Sequence, residues 1–512
     1  MVSLPPLAAI FLTHFDDIQG QSVIFYASLP NLPADTIEHT TLPSGLHALD
    51  SDLVLFTHHE LPGAGVFRSR LSDEGARGRR MGTLGVVLAK PAIPSNLFSL
   101  HDSLSSLFDQ LEDLETSPFA PSTSSKPSSA VSILAKIWHD NRADSLPSFS
   151  NTTNVKGKEA TRQVRRMIDG NSSLPVEHPI AYMPSLLGVL GPSIVPVYKA
   201  ALSGQRIILY STPPLLPLSA FAWCIWSMSV SPPATQNTEA SAWLGNVGLM
   251  DLTDMKKRKG GWIATTSDAI YKSHHTAYDM FIDLSSIPLS SSTESDIDNI
   301  PNTPTPQIFS TFHQPKHTLI PITYSFSDLP LYKSLLLLTS SPPTVHAGIS
   351  KTGGWWLMAF EILERAWMLC MGVCEFAVGR GNVGEQGHLR LDEGEEDARL
   401  LESSLDDEND LITIPPGQED EIDQELEDEA IRRGKLILRQ LHHNTYHLHS
   451  RLQEVISSRS PGTSSRSAPL SQVEIKQLIG SKWPLSGSGG EAQFWVDIAR
   501  VWGMTMDHNE ED

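Results

Sequence analysis

Cysteine is scarce in this chain: Cys224, Cys370 and Cys374 are three among 512 residues. An odd number, with two of them four positions apart in one apolar stretch, is not a disulfide framework. Two thiols on a buried helix do not close a zinc site either, so Cys370 and Cys374 read as small packing residues. The signatures of nucleotide hydrolysis and of acyl transfer are missing, since neither G-x-x-x-x-G-K-[ST] nor G-x-S-x-G occurs. The opening MVSLPPLAAIFLTHF lacks a basic n-region and runs into Asp16 and Asp17, so it reads as a first strand and not as a signal peptide. Without such a signal, the sequons at Asn151 and Asn171 read as chance. Long clean apolar runs are missing as well. Residues 214–230 are broken by Pro217, and 355–378 carry Glu361, Glu364, Arg365 and Glu375. Each charge at a bilayer centre costs roughly 2.5–3.5 kcal/mol on insertion scales. No internal repeat of fixed period is present. These absences lead to the expectation of a reduced, cytosolic protein.

Basic surplus is also lacking. The formal charge is −21, and its distribution is uneven. Residues 385–429 hold 19 Asp and Glu against two Arg, a net of −17, and the last six residues add four more acids. Together these account for the whole −21, so the rest of the chain is neutral. Acidic runs of this kind are usually solvated. Phosphate binding needs a dense basic surface, so nucleic acid is not an expected partner.

What is present is a mixed α+β and α/β pattern. Apolar runs at 8–13 and 22–27 flank FDDIQGQ and predict a hairpin; 52–56, 64–67 and 83–88 predict three more strands. Leucines and Phe108 at three-and-four spacing predict one amphipathic helix over 95–114. Residues 116–172 read as a Ser/Pro-rich mobile insert with a short helix near 131–139. In the segment IVPVYKAALSGQRIILYSTPP, Gly204 ends a helix and Ile207 to Tyr210 are apolar on both faces, as suits the centre of a parallel sheet. A helix over 214–230, strands at 242–249, 262–266 and 277–284, and a short helix at 268–272 complete an alternating α/β layer. Residues 285–315 read as a loop and 319–324 as a strand. The last third reads as helical: 355–378, 425–456 with Gly434 as a weak point, 472–479 and 494–502. The domain expectation is 1–115, the insert 116–172, 173–340, a helical segment 341–384, an acidic loop 385–429, and a helical part 430–506.

Few motifs carry chemistry. Gly379, Gly381 and Gly384 match G-x-G-x-x-G by letter, but a helix precedes them and an acidic stretch follows, the reverse of what pyrophosphate binding requires. His443 and His447 share a helix face with His442 and His449 nearby, a metal-compatible spacing; Asn444 stands where the companion Glu of that motif would be, and a packed or solvated face is the plainer reading. Lys256 to Lys259 read as solvated loop charge, and Arg432, Arg433 and Lys435 as neutralising the acidic stretch. Arg77, Arg79 and Arg80, in GARGRRMGTLGVV, are the candidate contacts for an acidic partner or an anionic lipid. No catalytic, cofactor-binding or metal-ligating set is expected.

Taken in order, AAIFLTHFDDIQGQSVIFYASLP, LPSGLHALDSDLVLFTH, GARGRRMGTLGVVL, GQRIILYSTPP, WLGNVGLMDL, WIATTSDAIYKSHHTAYDMFIDL and FWVDIARVWGM resemble the DENN superfamily, closest to its LCHN-like branch with fungal members. The resemblance implies a longin-like N-terminal lobe, an α/β lobe and a helical C-terminal part. It implies a membrane-trafficking role as a candidate guanine-nucleotide exchange factor for a Rab-type small GTPase, with no catalytic residues of its own and no cofactor. It also implies peripheral association with secretory or endosomal membranes. The other reading is a non-catalytic adaptor that keeps the fold. Rab-facing residues are expected along the groove between lobes.

Overall fold

Alternating and doubly apolar runs near the N-terminus fold into one antiparallel sheet. In this computed structural model the described residues are 4–71 apart from 17 and 19, 78–89, 94–114, 129–146, 162–170 apart from 169, 174–230, 241–287, 305–339 apart from 313, 315 and 316, 419–459, 468–479 and 489–505. The hairpin forms as expected from β1 (Leu7–Asp16) and β2 (Gly20–Ser28). After the short helix α1 (Ile37–Thr41) come β3 (Ser51–His58), β4 (Leu61–Leu71) and β5 (Arg79–Leu88). The sheet order is β2-β1-β5-β4-β3.

The expected single helix over 95–114 is two, α2 (Ser95–Phe98) and α3 (His101–Leu114). Leu104, Leu107, Phe108 and Leu111 turn inward, and α3 packs on β4. Arg68 of β4 fixes that packing from beneath. Its guanidinium bonds Asp109, Glu112 at 2.9 Å and the Ser105 carbonyl at 3.1 Å, and lies 4.9 Å from the Phe108 ring centroid. α4 (Ser129–Asn141) packs beside β1, and the Ala143 N–H donates to the Leu7 carbonyl at 2.9 Å. A second helix, α5 (162–168), buries Val164, Met167 and Ile168. The insert reading therefore missed one packed helix, whose signal was the three-and-four spacing in VRRMI.

The second sheet follows from α6 (Met183–Leu190), α7 (Ile194–Leu202), β6 (Arg206–Tyr210), α8 (Leu215–Met228), β7 (Ala242–Asn246), α9 (Leu252–Lys257), β8 (Trp262–Thr266) and β9 (Met280–Asp283). β10 (Gln307–Ser310) and β11 (Ile320–Pro321) finish it in the order β11-β10-β9-β6-β8-β7. β9, β6, β8 and β7 run parallel. Ile207, Ile208 and Leu209 of β6 are fully buried, as a doubly apolar central strand requires. β10 lies inside the stretch read as a loop, with Ile308 turned into the core. By length and composition 179–202 could cross a membrane. Here Gly191 interrupts it at φ 53, and Ile180, Met183, Leu186 and Leu187 are buried in the core that α8 shares.

Helices close the second lobe: α10 (Leu329–Leu337), α11 (Glu419–Ser457), α12 (Gln472–Ile479) and α13 (Gly489–Val501). α11 starts earlier than expected, so 419–429 is helix and not loop. The helix reading of 355–378, the glycine fingerprint, Cys370 and Cys374, and the acidic stretch up to 418 all lie outside the described residues.

Candidate functional site

The two sheets meet edge to edge, β3 against β7. Gly245 makes that approach possible. It sits at φ 69 at the register shift in β7, and a Cβ there would lie 2.4 Å from the Leu55 carbonyl oxygen. A residue with no side chain in a left-handed conformation is what such a bulge requires. Next to it the Thr57 hydroxyl donates to the Leu244 carbonyl at 2.9 Å.

Asp52 on β3 joins the lobes more deeply. Its carboxylate accepts the Leu215 N–H at 2.6 Å and the Leu216 N–H at 3.2 Å, at the start of α8, as well as its own neighbour Leu53 N–H at 2.8 Å. The first N–H groups of a helix lack intrahelical acceptors and carry partial positive charge. The first lobe therefore caps a helix of the second. Burial pushes the Asp52 carboxyl up to about 6, against the downward pull of those three N–H bonds.

In open α/β sheets, ligands enter outside the carboxyl ends of the strands. Here the chain itself covers those ends. Asn246 donates to the Thr40 carbonyl at 3.0 Å, and the Ser267 hydroxyl donates to the Ser44 carbonyl at 2.8 Å. At the rim Arg258 makes a two-pronged pair with Glu60, both arms 2.8 Å.

Beside this seam the loop after β7 forms a ledge. The Gly248 N–H is held by Asp251 at 2.8 Å and the Leu249 N–H by Asp268 at 2.9 Å; the Tyr271 hydroxyl donates to the Gly248 carbonyl at 2.9 Å. Burial pushes the Asp251 carboxyl up. With its backbone so fixed, the ledge shows two large apolar side chains to solvent: Leu249 is 56% exposed and Met250 51%. Ile270, on the turn that carries Tyr271, is 36% exposed. A preorganised apolar surface at a seam between lobes can dock a protein partner.

The residues singled out in the sequence fall elsewhere. Arg77 is outside the described residues. Arg79 is committed within the first sheet, bonding Asp50 and donating through Nε to the Ser69 hydroxyl at 2.8 Å. Arg80 faces Arg70 across the β4–β5 ladder. His442 meets the Ser227 carbonyl at 2.9 Å, and His449 is buried against Trp502 with ring centroids 5.4 Å apart. Among the described residues no three or more His, Cys, Asp or Glu are placed to hold a metal. The Cys224 thiol is buried, donates to the Pro179 carbonyl at 3.3 Å, and is pushed well up by burial. Glu429 accepts from Arg432 and Arg433 and is drawn down to about 2 chiefly by the Arg432 hydrogen bonds.

The ledge was missed because the strand reading of 242–249 absorbed Leu249. The available signal was G-L-M-D, two large apolar residues between Gly248 and an acid that can close a turn. The Asp52 cap had no local signal, because its partner lies 163 positions away.

A family model described as DENN domain-containing protein 11 matches residues 10–294. The matched span runs from within β1 through β9 and takes in both sides of the seam. The chain is 24% identical over 307 residues to Uncharacterized protein ANR2 of Saccharomyces cerevisiae, covering 55% of this chain and 58% of that relative. It is 20% identical over 280 residues to DENN domain-containing protein 11 of Xenopus laevis, covering 54% of this chain and 59% of the relative. The chain thus spans somewhat less than two thirds of the length of the curated relatives it matches.

Proposed function

This chain belongs to the DENN domain-containing protein 11 family, and from that premise we propose that it serves membrane trafficking as an exchange factor for a Rab-type small GTPase. It acts on the cytoplasmic face of secretory or endosomal membranes, by binding and not by bond chemistry of its own. The observation that supports a docking role is the ledge, where Leu249 and Met250 are more than half exposed on a backbone held by Asp251 and Asp268. An exchange factor binds the nucleotide-free GTPase better than the loaded form. By linkage, nucleotide affinity then falls by the same factor. A typical interface of ~800 Å² on each partner would cover the ledge and the adjoining seam.

The test is release of labelled GDP from a panel of Rab-type GTPases by the purified full chain. Acceleration is expected for at least one member. Leu249→Asp with Met250→Asp is expected to slow it about tenfold or more, as loss of a central apolar anchor does. No acceleration across the panel would overturn the exchange reading. Stable capture of a trafficking GTPase without acceleration would instead identify an adaptor. Full activity in the double variant would remove the ledge from the interface.

A further inference from the structure

The end of α9 and the turn into β8 carry Lys256, Lys257, Arg258 and Lys259 in succession. Neighbouring cations repel one another, so each is better placed beside an acid. Arg258 has one, since its two-pronged pair with Glu60 ties the turn to the β3–β4 hairpin. The lysines do not share it. Leu252 and Met255 take the buried side of α9, which leaves Lys256 and Lys257 outward. Lys257 has only Asp254, 3.9 Å away, and both side chains are largely exposed. Lys256 and Lys259 are exposed and make no ion pair with any described residue.

Close backbone packing sets this turn beside the end of α13. A Cβ on Gly261 would lie 2.6 Å from the Gly204 carbonyl oxygen, and a Cβ on Gly204 would lie 3.1 Å from a Val501 methyl. The lysine turn, the end of α7 and the end of α13 are therefore stacked in that order. The Met504 N–H donates to the Ala499 carbonyl at 2.9 Å and closes α13. Thr505 is buried, so the chain stays on this end of the body as far as that residue.

Residues 506–512 follow, outside the described residues. They read MDHNEED, with four acids, Asp507, Glu510, Glu511 and Asp512, and no lysine or arginine. Seven extended residues span at most ~25 Å. Lys259 is two residues from Gly261, and Gly261 is one glycine contact from Val501. The other cations at this end already have acids: Arg206 pairs with Asp279 at 2.7 Å, and Arg500 lies 3.6 Å from Asp497.

We propose that Lys256, Lys257 and Lys259 form a docking site for an acidic peptide, and that its resident occupant is this chain's own segment 507–512. Exposed ion pairs are weak one at a time. A short tether presents its acids at an effective concentration on the order of millimolar, which lets several weak pairs act together. The site is independent of the GTPase reading and of the ledge.

The test couples carboxylates to lysine amines in the full chain with a zero-length carbodiimide, isolates the monomer and maps the links by mass spectrometry. Links from 507–512 to Lys256, Lys257 and Lys259 are expected to exceed those to the exposed Lys476 of α12 by about fivefold or more, as tethering beside the turn predicts. In 1 M salt, where the screening length is about 3 Å, the excess is expected to vanish. A second readout needs no link. Asp507→Asn, Glu510→Gln, Glu511→Gln and Asp512→Asn combined should let the three lysines acetylate about threefold faster, the scale of an exposed ion pair, with Lys476 unchanged. These four positions lie beyond the packed residues, so folding is retained. Three results would each overturn the proposal: links from 507–512 spread evenly over the lysines; links to the turn that come from 385–418 or only from a second copy in a dimer; or equal acetylation rates in wild type and the neutralised variant.

Discussion

At the scale of single residues, Asp52 is where charge, burial and lobe contact coincide. Three backbone N–H groups favour its ionised form and burial disfavours it; burial wins, and the carboxyl stands near 6 where an ordinary aspartate stands near 4. The folded protein therefore binds this proton more tightly than the unfolded chain does. Stability from this group is fully present below the unfolded value and falls as pH rises from about 4 to about 6. A carboxyl raised from near 4 to near 6 binds its proton about 3 kcal/mol more tightly in the folded state. Asp52→Asn removes the titration, so the stability difference between wild type and Asp52→Asn should change by about that amount across pH 3 to 7, wild type losing ground as pH rises. Urea unfolding at four pH values reads it, and parallel curves would refute the assignment. Asp52→Ala at pH 7 leaves the α8 N–H groups uncapped and should cost about 1–3 kcal/mol. By comparison the Glu60–Arg258 pair, though well aligned, has Glu60 side-chain exposure of 54%, and exposed pairs contribute about 0–1 kcal/mol. The buried cap, not the visible ion pair, is the polar tie that matters at the seam.

At the scale of elements, legibility in the sequence followed the range of the interactions that make each one. The hairpin around FDDIQGQ and strand β6 depend on neighbours in the chain, and their patterns show them directly. The break between α2 and α3 was hidden, because Leu97, Leu100 and Leu104 keep a helical spacing across it. β10 is only four residues long and pairs with β9, so a Ser/Thr/Pro-rich setting masked it. Gly434 shows how tertiary contact reverses a local reading. Propensity marks a mid-helix glycine as a weakness of about 1 kcal/mol relative to alanine. In α11 it is the crossing point, since a Cβ there would lie 2.2 Å from the Ile180 carbonyl oxygen. That obstacle is backbone and cannot rotate away. Gly434→Ala should therefore destabilise by about 1–3 kcal/mol, as overpacking does, despite the gain in helix propensity. Thermal unfolding measures the sign. A stabilised variant would mean that α11 does not lie this close to the Ile180 turn.

At the scale of the whole described body, the question is whether two sheets make two folding units. A single contiguous apolar core argues that they do not. It runs from Ile10, Leu55 and Leu104 of the first lobe through Trp223 of α8 to Ile207, Leu441 and Ile498. The smaller clusters, one around Phe11 and Phe56 and one around Tyr271 and Trp262, lie apart from it. α8 occupies the shared core: it packs on β3 of the first sheet and on β7 and β8 of the second, with its N-terminus held by Asp52. Exposing either face of α8 would strand apolar area on the other lobe, at about 25 cal/mol per Å². Opening one lobe alone therefore gains little over opening both. Native-state hydrogen exchange should show the slowest amides of β4 and β5 and those of β6 and β8 opening with the same free energy and the same denaturant slope. Gly245→Ala, which forces β7 away from Leu55, should lower both sets together. If β4 and β5 exchanged through a distinctly cheaper opening, the lobes would be separable, and a surface spanning their seam could not be rigid enough to discriminate the nucleotide-free state of a partner.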